Sequence, residues 1–233
     1  YEDALKFHIR SLHEICNDVS LNIKQQYEEN PYPRWVQTGL PLGGISIATL
    51  VKDQHLSLRQ PSITNVEKPK ILVAGCGTGQ HAISVAARFQ NASILAIDLS
   101  LSSLAYAKRK ADELEVKNLR FLQGDILNLH NFADSFHVIE CAGVLHHLGD
   151  PEKGWRQLTN CLKPGGLMKI ALYSEIARKD VVTIRKEIEA LEIAPNTPDM
   201  IKFRNHIINS GAPHHRRIVE STDFYSLSEF RDL

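Results

Sequence analysis

A chain of 233 residues, 43% apolar and 23% charged, is long enough for one large domain with a sizeable core and too short for several independent ones. Lys and Arg total 27 and so do Asp and Glu, a zero balance that argues against a nucleic-acid groove or an anionic membrane as main partner, since both leave a basic excess. No apolar run approaches the roughly 20 residues that span a bilayer and no signal-peptide pattern opens the chain, so a cytoplasmic protein without membrane insertion is expected.

The first 30 residues carry Leu5, Ile9, Leu12, Cys16, Val19 and Ile23 at spacings of 4-3-4-3-4, one face of an amphipathic helix. That face reads either as packing on the protein's own core or as a contact with a partner or neighbouring domain. In Asn30-Pro31-Tyr32-Pro33-Arg34-Trp35 two prolines forbid a helix and hold the chain extended. Residues 36–68, with Gly39, Pro41, Gly43, Gly44 and Pro61, read as loop with one short helix, so 1–68 is a helix followed by a connector or lid.

Residues 69–174 alternate in type. Strand-like runs at Lys70–Ala74, Ser93–Ile97, Leu119–Gln123, Phe136–Cys141 and Leu167–Tyr173 are separated by helix-like windows at Gln80–Phe89, Leu101–Leu114 and Pro151–Leu162. Asp150 is placed to cap the last window, and Lys163-Pro164-Gly165-Gly166 ends it in a turn. Such alternation predicts parallel strands joined by crossovers, a doubly wound, mostly parallel α/β sheet.

Residues 175–233 read as a helical C-terminal extension, with Val181, Ile184, Ile188 and Leu191 on one face, a second helix over Asp199–Asn209, and a further element beginning at Ser228–Leu233. The chain starts at Tyr1 without Met and stops in a helix-like stretch, so it reads as a fragment. Cys16, Cys76, Cys141 and Cys161 form no CxxC pair and read as reduced thiols. Neither His146-His147 nor His214-His215 has the HExxH spacing, so no metal is expected.

The chemistry concentrates in Ile71-Leu72-Val73-Ala74-Gly75-Cys76-Gly77-Thr78-Gly79-Gln80. An apolar strand runs into glycines that let the backbone approach a ligand, and the helix that follows presents unpaired N–H groups. The dinucleotide fingerprint GxGxxG is not met, because the glycines stand at 75, 77 and 79 with Gln at 80; GxxxxGK[ST] is absent as well.

In five ordered segments the chain resembles class I S-adenosylmethionine-dependent methyltransferases, which implies a Rossmann-like fold with helical N- and C-terminal extensions. These are Gly75-Cys76-Gly77-Thr78-Gly79, Ile94–Ser100 with Asp98, Gln123-Gly124-Asp125-Ile126, Val138–Leu148 and Leu162-Lys163-Pro164-Gly165-Gly166. The resemblance implies that Gly75, Cys76, Gly77, Thr78, Gly79 and Gln80 cradle S-adenosyl-L-methionine and its product S-adenosyl-L-homocysteine, with Cys141 beside the departing methyl. Asp98 would accept from the ribose hydroxyls, Asp125 from the adenine amine, and Leu99 and Ile126 would flank the ring. Either aspartate taken alone reads equally as a helix cap. The chain departs from the family at Val73, where an acidic residue usually supports the methionine ammonium; backbone carbonyls or a side chain such as Gln80 or His81 are left to do so.

On the acceptor side, His146 and His147 follow the fourth strand as candidate contacts or bases, or as a structural pair. The 30–35 segment, similar to methyltransferase portions of bacterial tetratricopeptide-repeat proteins, offers Arg34 for the methionine carboxylate and Tyr32 and Trp35 for the acceptor, or else simply packs. Tyr225 is a further candidate for an acceptor pocket. The expected function is methyl transfer to a protein side chain or small molecule, with a fused or neighbouring helical repeat domain as a possible partner; the alternative is a catalytically silent module of the same fold.

Overall fold

Five parallel strands form the sheet: β1 Lys70–Ala74, β2 Ser93–Asp98, β3 Leu119–Gln123, β4 Phe136–Ala142 and β5 Leu162–Ala171, in the order β3-β2-β1-β4-β5. The computed structural model describes residues 1–41, 43–89, 91–174, 176–226 and 230, and the chain divides into two units, Tyr1–Leu172 and Tyr173–Leu233. In β1 every residue after Lys70 is buried, as an apolar run covered on both faces requires.

One face of the sheet packs on α4 (Gln80–Arg88) and α5 (Leu101–Glu113), where Ala82, Ile83, Val85, Leu104 and Ala107 meet Ile71, Val73, Ile94 and Ala96. The other packs on α6 (Pro151–Cys161) and on 3-10 turns, through Leu158, Cys161 and Leu129 against Leu72, Ile139 and Phe136. Because β1 pairs with β2 on one side and β4 on the other, the strand order reverses there, and the crevice outside the strands' carboxyl ends lies at that reversal.

The N-terminal segment departs from its expected single helix. It forms α1 (Glu2–Lys6) and α2 (Asp18–Glu29), and between them the backbone of Arg10 and Leu12 pairs with Gln123 through two 2.9 Å hydrogen bonds. The exposed edge of β3 leaves unpaired N–H and C=O groups, and their satisfaction outweighs the helical periodicity. Asn17 restarts the helix by accepting from the Ser20 N–H at 3.1 Å, which leaves Cys16 and Val19 exposed and buries Ile15 instead. Residues 36–68 contain the expected short helix, α3 (Ile47–Asp53), and a 3-10 turn at Pro61–Asn65.

The last strand also departs from expectation. β5 begins at Leu162, directly after α6, and ends at Ala171, so Lys163-Pro164-Gly165-Gly166 lies inside the paired segment. Phe136 pairs with Leu162 and Val138 with Leu167, and the register shift between them absorbs the extra residues; Gly165 takes φ +76° there.

In the second unit α7 (Lys179–Ala190), α8 (Thr197–Asn209) and α9 (Pro213–Val219) enclose their own core of Ile184, Met200, Phe203, Ile207, Ile218, Phe224 and Phe230. Val181 and Ile188 pack against it, whereas Leu191 is exposed. The element expected at Ser228–Leu233 falls, except for Phe230, outside the described residues. Among the described residues no helix is long and apolar enough to cross a membrane.

Candidate functional site

The glycine loop is held from below by β2. The N–H groups of Gly75 and Cys76 both donate to the Ile97 carbonyl at 2.9 Å, and Gly77 N–H donates to Asp98 Oδ2 at 2.8 Å. Gly75, Gly77 and Gly79 all take positive φ, and two are needed for space as well. A Cβ on Gly75 would lie 2.4 Å from a Val144 methyl across the reversal point, and one on Gly79 would lie 2.5 Å from Ala107 Cβ. Gly79 stands at the N-cap of α4 without a side-chain cap, and Gln80 opens the helix half-buried.

Asp98 ends β2. Its Oδ1 accepts from Ser100 N–H at 3.0 Å while Oδ2 holds Gly77. Burial raises its pKa, and nearby Glu28 adds to the rise; the N–H bonds from Ser100, Gly77 and Leu99 oppose it without cancelling it. The β2–β3 register sets Asp98 opposite Gln123, so Asp125 comes two residues beyond the pairing partner of Asp98. Asp125 is 1% exposed; its Oδ1 caps a 3-10 turn by accepting from Leu127 N–H at 2.9 Å, and its Oδ2 is buried without a hydrogen-bond partner. Its own N–H donates to His13 Nε2 at 3.1 Å. Leu99 is half-buried between these strand ends, its carbonyl held by Gln123 Nε2 at 2.8 Å, and Ile126 is buried in the core below α6.

The 30–35 segment packs directly on the loop. Trp35, 8% exposed, donates its indole N–H to the Thr78 carbonyl at 3.1 Å, and Thr78 Oγ1 donates to the Pro33 carbonyl at 2.5 Å. Tyr106 of α5 donates its hydroxyl to the Trp35 carbonyl, and Lys110 Nζ sits 5.3 Å over the Trp35 ring. A Cβ on Gly77 would come within 3.1 Å of the Tyr32 carbonyl, so the segment covers the loop at close range. Tyr32 is half-buried and Arg34 exposed.

At the exit of β4, His146 and His147 lie in a 3-10 turn, both half-buried, with ring centroids 4.1 Å apart. The Tyr27 ring of α2 meets His147 edge-on at 6.2 Å. Burial pushes the Cys141 thiol up to about 12 and raises that of Cys76 well above the ordinary thiol range, so neither is a thiolate near neutrality. Tyr225 lies in the second unit, at the end of a 3-10 turn, and is exposed.

Comparison with known proteins now bears on this geometry. Residues 71–166 match the family model described as a methyltransferase domain. They form a methyltransferase domain by this match. An uncharacterized protein of Synechococcus sp. is 36% identical over 126 residues, covering 54% of this chain and 30% of the relative. A trans-aconitate 2-methyltransferase of Deinococcus radiodurans is 35% identical over 106 residues, covering 45% of this chain and 38% of the relative. The Rickettsia typhi protein PKMT2, solved in complex with AdoHcy, shares the fold with a TM-score of 0.57 at 22% identity, over 81% of this chain and 40% of that one. The chain thus spans well under half the length of these proteins.

Several residues that support the methyltransferase domain escape a motif reading. Glu28 caps α5 by accepting from Leu101 N–H, Ser102 N–H at 3.1 Å and Ser102 Oγ at 2.5 Å, while Ser100 Oγ donates to the Tyr27 carbonyl at 3.1 Å. Together these pin α2 to the carboxyl end of β2. Glu140, 2% exposed, pairs in register with Val73 and binds His81 Nε2 at 2.7 Å and Arg88 Nη2, with Lys169 Nζ at 3.8 Å. Burial alone would raise its pKa, but the His81 hydrogen bond and the charges of Arg88 and Lys169 hold it below the ordinary carboxylate range. An acid inside an apolar strand was the available signal for this cluster; its three partners come from α4 and β5 and show no fixed spacing.

Proposed function

We propose that the protein transfers a methyl group from S-adenosyl-L-methionine to a small-molecule or protein acceptor. The observation that carries this reading is the buried, unpartnered Oδ2 of Asp125, two residues beyond the strand partner of Asp98. A buried acceptor without a donor costs roughly 1–3 kcal/mol, and an amine donor would relieve that cost. The residues therefore fit the cofactor: an acceptor for the adenine amine, a carboxylate at the strand end for paired hydroxyls, and a glycine loop without Cβ atoms.

When bound, the cofactor supplies an electrophilic methyl on a sulfonium. The chain's own task is then alignment, which contributes up to about 7–11 kcal/mol when reacting atoms are held in line. Asp98 would accept from the ribose hydroxyls while keeping Gly77 in place. Tyr32, Pro33 and Trp35 would keep the loop rigid and exclude water, with Arg34 free to reach a carboxylate. His146 and His147 are the candidates to hold or take a proton from an acceptor approaching at the exit of β4. In the trans-aconitate relative the acceptor named is a small molecule, which favours a small acceptor here.

Calorimetry with S-adenosyl-L-homocysteine tests binding, and transfer of tritiated methyl into a size-fractionated lysate tests transfer. Saturable binding with label in small molecules or protein supports the proposal. Binding without label points to a silent cofactor-binding module, and no binding at millimolar concentration overturns the proposal and leaves a silent interaction module.

A further inference from the structure

In the second unit, Glu187 of α7 lies between two imidazoles of α9. His214 Nε2 is 2.6 Å from Glu187 Oε1 and His215 Nε2 is 2.7 Å from Oε2, and the donor atoms of the three residues lie within 4.8 Å of one another. His215 is 4% exposed in its side chain, Glu187 29% and His214 22%, so the cluster is walled on one side and reached by solvent on the other. Adjacent histidines alone carry no ligand set, and the third member stands 27 residues upstream of His214, beyond the reach of any spacing rule.

The scaffold fixes these groups. Asp180, two helical turns before Glu187 on α7, makes a bidentate ion pair with Arg217 of α9 at 2.5 and 2.6 Å. Because Asp180 meets Arg217 while Glu187 meets His214 and His215, the helices run antiparallel with two polar ties, and the fully buried Ile184 and buried Ile218 lie in the core between them. The His206 ring of α8 stands edge-on to His215 at 5.9 Å and closes the buried side.

We propose that Glu187, His214 and His215 form a binding site for a zinc-class transition-metal ion. Two imidazoles and one carboxylate suit Zn2+ and Co2+ and are poor ligands for Mg2+ or Ca2+, which take oxygen. Metal–ligand bonds of about 2.0–2.2 Å at tetrahedral angles put the ligand atoms roughly 3.3–3.5 Å apart. The present 2.6 and 2.7 Å contacts need to open by less than about 1 Å, which the half-exposed Glu187 side chain supplies by rotation. On binding, each imidazole gives its Nε2 lone pair to the ion in place of the contact with the carboxylate; an imidazolium releases its Nε2 proton to solvent, whereas a neutral ring carries its one proton on Nδ1. Three protein ligands leave a fourth position to water. This site is independent of the methyl-transfer reading.

The test uses the tag-free chain, stripped with a chelator and dialysed, then titrated with Zn2+ by calorimetry and Co2+ by visible absorption. One ion per chain at micromolar affinity or tighter, a four-coordinate Co2+ spectrum and no competition from Mg2+ are expected. His214→Ala and Glu187→Gln should each weaken Zn2+ binding at least about tenfold, and His8→Ala, in the first unit, should not. Should His215→Ala fail to fold by circular dichroism, the two half-exposed positions carry the test. Absence of saturable binding, or affinity unchanged in both His214→Ala and Glu187→Gln, overturns the proposal.

Discussion

The backbone N–H of Gly77 donates to Asp98 Oδ2 at 2.8 Å, so the residue assigned to the ribose hydroxyls also shapes the loop against which the cofactor would lie. Loop and carboxylate thus belong to one unit, and a change at Asp98 acts on both. Asp98→Ala should reduce S-adenosyl-L-homocysteine affinity by about 1.5–3 kcal/mol, roughly ten- to a hundredfold, with the fold retained by circular dichroism. Unchanged affinity in calorimetry would remove Asp98 from the site.

The raised pKa of Asp98 gives a signed pH effect. Ribose hydroxyls donate to the ionised carboxylate, so affinity should fall as pH drops through the raised pKa, beginning above the ordinary value of about 3.9. Folding responds oppositely. Between the unfolded and the raised folded pKa the folded state binds more protons, so acidification through this group adds stability. Asp98→Asn should flatten the affinity profile, measured by calorimetry across the acidic range.

Asp125→Asn tests the orphaned oxygen. The amide oxygen can still cap Leu127 N–H, while the amide NH2 presents a donor where an acceptor is required. Cofactor affinity should fall about tenfold or more, with the unfolding midpoint nearly unchanged, since a cap is retained and no charge is stranded.

Gly79→Ala should destabilise the fold by about 2–4 kcal/mol, from positive φ and from overpacking against Ala107 at 2.5 Å. Gly39→Ala, where a Cβ meets nothing within 4 Å, is the matched control. Denaturant midpoints of the two variants measure the difference.

Glu140 ties β4 to α4 and β5, and its pKa is lowered. A carboxyl held below its unfolded value contributes stability that is fully present above that value and is lost as pH falls through the folded pKa. Glu140→Gln should cost about 1–3 kcal/mol near neutrality, by leaving Arg88 without its counter-charge, and should reduce the loss of stability on acidification. Urea unfolding at neutral and acidic pH checks both parts.

Where the sequence alone succeeded, a local rule applied. Short apolar runs alternating with helical windows mark buried parallel strands, so β1 to β4 lie within a residue of their expected bounds. It failed at 1–30, where the 4-3-4-3-4 spacing is genuine but the edge of β3 recruits Arg10 and Leu12. It failed again at β5, where a turn-like Lys163-Pro164-Gly165-Gly166 is absorbed by a register shift. In both places backbone hydrogen bonds to a remote strand outweigh local preference.

By itself the sequence determined the fold class and singled out the glycine loop and the two aspartates as candidates, because each rests on residues a few positions apart along one strand and its exit. Only the tertiary structure decided what those groups face: Gly77 on Asp98, Trp35 beneath Thr78, Glu140 among His81, Arg88 and Lys169, and Glu187 between two histidines. Those contacts join residues 21 to 59 positions apart in the first three pairings read from Asp98, Trp35 and His81. A contact of that separation depends on which surfaces pack together, and packing, unlike periodicity, leaves no spacing in the chain.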